Sequence, residues 1–119
     1  MLDALDGDPR VSVCFDTCHA FASGYDERSV AEVKKTVDEL DRIVGLKKVE
    51  VIHANDSVTG LASNRDRHAN IGDGQIGEDG FRALLHEPRL AKLPFILEVP
   101  GAGGGPDAEQ VAILKRLAA

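Results

Sequence analysis

Short apolar runs alternate with amphipathic stretches along the chain, and this alternation predicts strands and helices in turn. The apolar runs at residues 11–16, 49–53 and 95–99 have the length of buried strands. Between them, apolar residues recur every three or four positions, most clearly over residues 30–44. Alternating strands and helices favour a parallel sheet with right-handed crossovers, which is the α/β class.

The helix predicted over residues 30–44 has one apolar stripe and recognisable ends. Ser29 is suited to cap its first turn, and Glu32 completes a capping box. Gly45 is suited to end the helix. The residues expected to be buried on its apolar face are Val30, Val33, Val37, Leu40 and Val44.

A long segment without periodicity, residues 54–78, separates the second strand from a short helix predicted over residues 79–86. Loops longer than about 12–15 residues are usually functional in compact domains. A glycine-rich turn leads to a final helix over residues 107–117. An eight-fold barrel needs roughly 200 residues or more. We therefore interpret residues 1–119 as a single partial domain, part of an open sheet or of such a barrel.

Composition is that of an ordinary soluble globular protein, with 43% hydrophobic and 29% charged residues. A net charge of −6 argues against a conventional DNA-coating protein, although bound zinc ions would offset part of it. Cys14 and Cys18 are too few and too close for a disulfide framework, so both are expected to be reduced packing residues. Without a membrane-length apolar run or a secretory pattern, a cytoplasmic location is expected.

Side chains that bind metals occur at the ends of all three predicted strands and in the long segment. In parallel α/β folds, the active site lies at the carboxyl ends of the strands. A mixture of His, Asp and Glu is what zinc or manganese accepts in an open catalytic site. The candidate ligands are Asp16, His19, His53, Asp66, His68 and Glu98.

Each candidate also has a purely structural interpretation. Asp16 can cap the segment after its strand, His53 can be a satisfied core histidine, and the two candidates in the long segment can belong to a solvated, charged loop. Glu98 interrupts an apolar strand, where a buried carboxylate is costly unless it is paired or metal-bound. His86, near a helix end, is interpreted as structural. The residues alone therefore indicate a metal-dependent α/β hydrolase or isomerase.

Several stretches resemble the signatures of the endonuclease IV family. Residues 16–26, DTCHAFASGYD, resemble one signature. Residues 53–57, HANDS, resemble the start of a second signature, which continues in residues 66–68, DRH, and residues 71–77, IGDGQIG. Residues 95–101, FILEVPG, resemble the last strand of that fold. The resemblance covers most of the chain in the family's order.

The resemblance implies the C-terminal part of a TIM-type barrel of the xylose-isomerase-like kind, a zinc enzyme that cuts double-stranded DNA 5′ to abasic sites in base excision repair. Clustered zinc ions activate water, hold the phosphate and stabilise the leaving oxygen. By resemblance, His19, Asp66 and His68 bind one zinc ion, and Asp16, His53 and Glu98 bind a second. Asp16 and Glu98 are also assigned as catalytic. Arg67, between two of these ligands, is either a contact to a DNA phosphate or simply an exposed arginine.

The family's complete enzyme holds up to three zinc ions, and some of its ligands come from earlier strands that have no counterpart here. The chain is therefore expected to be inactive or impaired alone, with at most two sets of ligands. The glycines in residues 71–77 either let the backbone approach the nucleic acid closely or only allow the chain to turn there.

Two other functions remain open. A sugar isomerase or epimerase on the related barrel also uses Asp, His and Glu for one metal, but it lacks the set formed by His19, Asp66 and His68. A zinc-binding fragment without turnover is the third hypothesis, because missing strands leave open sheet edges. The oligomeric state is not predicted.

Overall fold

A computed structural model describes residues 13–101, 105 and 107–119. Strands and helices alternate along this part of the chain, as the periodicity predicts. In chain order the elements are β1 (Val13–Asp16), α1 (Thr17–Ala22), α2 (Val30–Ile43), β2 (Val49–Ala54), β3 (Asp56–Ser57), β4 (His68–Ala69), α3 (Gly77–His86), α4 (Pro88–Ala91), β5 (Phe95–Leu97) and α5 (Ala108–Ala118).

The main sheet consists of three parallel strands in the order β1-β2-β5. Asp16 is aligned with His53 across β1 and β2, and His53 is aligned with Ile96 across β2 and β5. Glu98 directly follows β5. Because the strands are parallel, their carboxyl ends meet at one edge of the sheet. This edge therefore receives the side chains that were predicted at the strand ends.

Helix α2 begins and ends close to the predicted positions. The hydroxyl of Ser29 accepts a hydrogen bond from the backbone N–H of Glu32 at 3.3 Å, and Gly45 adopts φ +91° after the last turn. Val33 and Val37 are fully buried. The prediction was wrong for Val30, which is 67% exposed because the helix begins there, at the outer end of its apolar stripe.

The hydrophobic core joins the sheet to helices α2, α3 and α5. Phe15 and Ile52 contribute from the strands. The helices contribute Val37, Phe81, Leu84, Leu114 and Leu117, all of which are buried. Packing against these helices fixes the position of the sheet and of the edge where its strands end.

Four features of the fold differ from the prediction. Helix α1 follows β1 without a loop, and the long segment contains the antiparallel pair β3–β4. Pro88 ends α3 as expected but also begins the short helix α4. Strand β5 ends at Leu97, two residues before the predicted end. Residues 11 and 12 and most of the glycine-rich turn lie outside the described residues.

Among the described residues, no helix combines the length and the apolar character needed to cross a membrane.

Candidate metal centre

The three candidates at the strand ends lie together at the carboxyl edge of the sheet. The Nδ1 atom of His53 is 2.6 Å from Oε1 of Glu98. Asp16 is the register partner of His53 on the neighbouring strand. The amide nitrogen of Asn55 lies 3.5 Å from Oδ2 of Asp16 and 3.4 Å from Oε1 of Glu98. The parallel sheet thus brings one imidazole and two carboxylates to a single place.

The other three candidates come from α1 and the long segment, and they meet the first group. Nδ1 of His19 is 3.3 Å from Oδ2 of Asp66. Nε2 of His68 is 3.5 Å from Oδ1 of Asp66 and 3.4 Å from Oδ2 of Asp16. His68 therefore lies between the two predicted ligand sets and contacts a carboxylate of each.

The ring of His68 is oriented by a backbone carbonyl. Its Nδ1 atom is 3.2 Å from the carbonyl oxygen of Glu98. A carbonyl oxygen can only accept a hydrogen bond, so this contact places the proton on Nδ1. The other ring nitrogen, Nε2, faces Asp16 and Asp66. Histidines that bind metals are usually held in this way through their other nitrogen.

The donor set fits a divalent cation. Among the described residues, the ligand atoms of Asp16, His68 and Glu98 lie within 4.8 Å of one another. The same holds for Cys18, Asp66 and His68. Neighbouring carboxylates repel one another unless a cation or a proton lies between them. Carboxylate oxygens and imidazole nitrogens are donors that divalent transition metals accept.

Cys18 lies beside this centre but fits the packing role that was predicted for it. The residue is fully buried in α1, and its thiol donates to the carbonyl oxygen of Arg67 at 3.3 Å. Burial raises the pKa of the Cys18 thiol to about 12. Only the thiolate binds metals well, and this environment opposes its formation.

Two predictions at this edge were wrong about burial. Cys14 is exposed rather than packed, because it alternates with the buried Val13 and Phe15 along β1 and so faces away from the helices. The side chain of Glu98 is 43% exposed rather than buried, because β5 ends one residue before it. Its carboxylate lies beside the ring of His53, at 2.6 Å, rather than in the core.

Asn55 and Asp56 follow β2 and were missed as site residues, although both are fully buried. The carboxylate of Asp56 accepts backbone N–H groups from the segment that follows β4 and from its own neighbour. These donors are Ser57, Gly72, Gly74, Ile76 and Gly77, at 2.7–3.1 Å. The polar run Asn-Asp-Ser directly after an apolar strand was the available signal, since such residues often bond nearby backbone groups.

This carboxylate also explains the glycines of residues 71–77. A Cβ atom on Gly74 would lie 2.6 Å from Oδ1 of Asp56 and would also meet the carbonyl oxygen of Ser57. Gly72 and Gly77 adopt φ +89° and +79°. Their N–H groups point inward to Asp56. The observations favour the turn interpretation over close approach of this backbone to nucleic acid.

Arg67 presents an exposed side chain from a backbone that is held in place. Its carbonyl oxygen accepts hydrogen bonds from the thiol of Cys18 at 3.3 Å and from the N–H of Val58 at 3.0 Å. The neighbours of Arg67 on either side are the candidate ligands Asp66 and His68. The backbone of Arg67 is therefore held between two candidate ligands.

Glu27 is a buried carboxylic acid that the sequence did not single out. Its side chain is 0% exposed, and neither oxygen has a hydrogen-bond partner among the described residues. Burial, with smaller contributions from the charges of Asp16, Asp26 and Asp56, raises the pKa of Glu27 well above its ordinary value. At a pH near the ordinary pKa of a glutamic acid, the carboxyl group of Glu27 is therefore neutral in the folded protein.

Comparison with known proteins agrees with the fold and with the resemblance. The profile of the xylose isomerase-like TIM barrel family matches residues 1–117. A probable endonuclease 4 of Halothermothrix orenii is 46% identical over 117 residues, which are 98% of this chain and 42% of that protein. A probable endonuclease 4 of Chloroflexus aggregans is 49% identical over 109 residues, which are 91% of this chain and 38% of that protein.

A solved structure extends the likeness to three dimensions. The crystal structure of endonuclease IV from Thermus thermophilus superposes with a TM-score of 0.79 and 43% sequence identity, covering 98% of this chain and 40% of that one. The chain thus spans about 40% of the length of the relatives it matches. The predicted fold class, part of a TIM-type barrel, is confirmed. The chain belongs to the xylose isomerase-like TIM barrel family and is a relative of the endonucleases IV.

Proposed function

We propose that this chain supplies part of the zinc-dependent active site of a deoxyribonuclease that hydrolyses DNA 5′ to abasic sites in base excision repair. The observation that carries the proposal is the position of His68. Its Nε2 atom faces Asp16 at 3.4 Å and Asp66 at 3.5 Å, while its Nδ1 atom is held by a carbonyl. The names of the related endonucleases support the choice of a nuclease over a sugar isomerase.

The six candidate side chains divide into two ligand sets in this proposal. His19, Asp66 and His68 hold one zinc ion, and Asp16, His53 and Glu98 hold a second. Bound zinc supplies Lewis acidity for activating water and positive charge for the scissile phosphate. The protein's task is to hold the donors in place and to keep their lone pairs directed at the same space.

The two carboxylate oxygens of Asp16 have different partners. Oδ1 caps α1 by accepting the N–H groups of Cys18 and His19 at 2.9 and 3.1 Å. Oδ2 faces His68 and the Asn55 amide. Capping restrains the rotation of the carboxylate, and Oδ2 would be the oxygen that holds zinc.

Glu98 supplies the second catalytic carboxylate in the proposal. Its backbone N–H donates to Oδ1 of Asn55 at 2.8 Å, while its carboxylate pairs with His53. Because the side chain is 43% exposed, it is accessible to a substrate that approaches the edge of the sheet. Both catalytic assignments, Asp16 and Glu98, thus fall on residues whose backbones are fixed.

Arg67 is proposed to contact a DNA phosphate. Its neighbours in the chain are two ligands, and its backbone carbonyl is held from two sides. A guanidinium group forms strong paired hydrogen bonds with phosphate oxygens. Since the net charge of the chain is −6, this local cation would supply attraction for DNA that the chain as a whole lacks.

The proposal is tested in a chimera, because the chain spans 42% of the Halothermothrix orenii relative. In the chimera, this chain replaces the segment of the relative that it matches. We expect zinc-dependent cleavage of a duplex that carries one abasic site, at the phosphodiester 5′ to that site. The 119-residue chain alone is expected to cleave little or not at all.

The matched control is the same chimera carrying His68→Ala, which removes one proposed ligand that also contacts Asp16 of the other set. Its cleavage should fall to the background level. A chimera that folds and binds zinc but leaves the abasic duplex intact would contradict the proposed function. Isomerisation of a ketose without DNA cleavage would instead favour the sugar isomerase.

A further inference from the structure

Asn55 connects the two outer strands of the sheet at the candidate centre. It directly follows β2 and is fully buried. Its amide nitrogen lies between Oδ2 of Asp16, at 3.5 Å, and Oε1 of Glu98, at 3.4 Å. The similar, long distances place the amide between the two carboxylates rather than on either one. A single side chain from the central strand thus contacts both catalytic candidates.

The amide of Asn55 can take only one orientation here. Oδ1 accepts the backbone N–H of Glu98 at 2.8 Å, so the oxygen side of the amide is fixed. The NH₂ group must then face the two carboxylates, which can only accept hydrogen bonds when ionised. Geometry and chemistry therefore agree on an amide that donates to Asp16 and Glu98.

The backbone of Asn55 is fixed as firmly as its side chain. The hydroxyl of Thr17 donates to the carbonyl oxygen of Asn55 at 2.6 Å, and the N–H of Asn55 donates back to that hydroxyl at 2.9 Å. Thr17 is itself fully buried at the start of α1. The amide is therefore presented from a rigid position that does not depend on a bound metal.

We propose that Asn55 is a positioning residue that directs the Asp16 and Glu98 carboxylates toward the zinc they share in the proposed function. The inference rests on that proposed function. By donating to one oxygen of each carboxylate, Asn55 restrains their rotation and reduces their mutual repulsion before zinc binds. Groups that orient metal ligands typically change metal affinity by about 10–100-fold when they are removed.

The test measures zinc affinity of the full chain by competition with a chromophoric chelator. We expect Asn55→Ala to weaken zinc binding by about 10–100-fold. The matched control is Asn70→Ala. The side-chain amide of Asn70 also forms two hydrogen bonds, to the backbone of Gly101, at 2.7 and 2.8 Å. The control variant should keep the affinity of the wild-type chain. Unchanged affinity in Asn55→Ala, or an equal loss in both variants, would overturn the inference.

A measurement on the unmodified chain covers the case in which Asn55→Ala fails to fold. In the isotope-labelled wild-type chain, the side-chain amide signals of Asn55 should shift as zinc is added, and those of Asn70 should shift less. No shift at Asn55 in a chain that binds zinc would overturn the inference. If the wild-type chain binds no zinc at all, the proposed function itself is contradicted. This outcome differs from zinc binding without a shift at Asn55, which contradicts only the role of Asn55.

Discussion

The two candidate ligand sets are held in different ways. Asp16 and His53 lie in register on neighbouring strands, with side chains 22% and 28% exposed. His19 and Asp66 lie on a short helix and a loop, and their side chains are 58% and 41% exposed. A sheet ladder fixes Asp16 and His53, whereas His19 and Asp66 are brought together across 47 residues by the fold of a loop. The geometry of the set that contains His19 and Asp66 should therefore depend more on the contacts that hold the loop and on a bound cation.

The largest effect is expected from His68→Ala, which removes the residue in contact with both sets. Bound zinc should fall by about one ion per chain, because a zinc site that loses one of three protein ligands no longer competes with solvent. Elemental analysis of the purified variant measures this directly. His86→Ala is the matched control, because Nε2 of His86 contacts the carbonyl oxygen of Ala118 instead of the centre. Equal zinc in both variants would remove His68 from the site.

The second-largest effect is expected at Asp56, whose carboxylate accepts backbone N–H groups of the loop at residues 72–77. Asp56→Asn replaces one carboxylate oxygen by an NH₂ group that cannot accept the N–H groups of residues 72–77. We expect the free energy of unfolding to fall by about 3 kcal/mol or more, since hydrogen bonds to a charged group contribute about 1.5–3 kcal/mol each. Denaturant unfolding measures the loss.

The control for this change is Asp73→Asn, which alters an exposed carboxylate in the same loop. It should change the free energy of unfolding by less than about 0.5 kcal/mol, as surface substitutions usually do. If the two variants lose the same stability, Asp56 does not anchor the loop.

The smallest effect is expected at the fully buried Glu27. Glu27→Leu should raise the free energy of unfolding at neutral pH by about 1–3 kcal/mol, because it removes a buried polar group that has no hydrogen-bond partner among the described residues. The measurement is denaturant unfolding of both proteins at several pH values. A destabilised variant would show that the carboxyl group of Glu27 contributes favourably.

The pH dependence of this effect has a definite sign. The folded pKa of Glu27 is raised above the unfolded value, which is about 4.3. Below that pH both states are protonated and the group carries no ionisation penalty. As the pH rises through the unfolded pKa, the unfolded chain ionises first, so the wild-type protein loses stability. The advantage of Glu27→Leu should therefore grow above about pH 4.3. Glu50→Gln, at an exposed position, should show no such trend.

Much of the fold was predictable because its periodicity is local. Helix α2 has its cap at Ser29 and its end at Gly45, and both signals are contained in the helix and its immediate neighbours. Helix α1 was missed because its six residues are too few to show a period, and Asp16 serves as both cap and candidate ligand. The pair β3–β4 was missed because two-residue strands depend on a partner that is distant in the chain.

The sequence predicted which side chains meet at the candidate site, but not the residues that support them. Strand ends and the family resemblance singled out the six candidates, and the structure brings them to one edge. The polar run after β2 marks Asn55 and Asp56 as unusual, but their partners lie 16 to 43 positions away and cannot be identified from a local pattern. The burial of Glu27 is likewise a tertiary property, because its polar side chain favours a surface position in any sequence-based prediction.

The most direct test of the account is the zinc content of the purified wild-type chain, measured per chain by elemental analysis after removal of loosely bound metal. The account predicts about one to two zinc ions per chain, from the two ligand sets at the strand ends and in the loop. A folded chain that retains no zinc would contradict the assignment of this cluster as a metal centre.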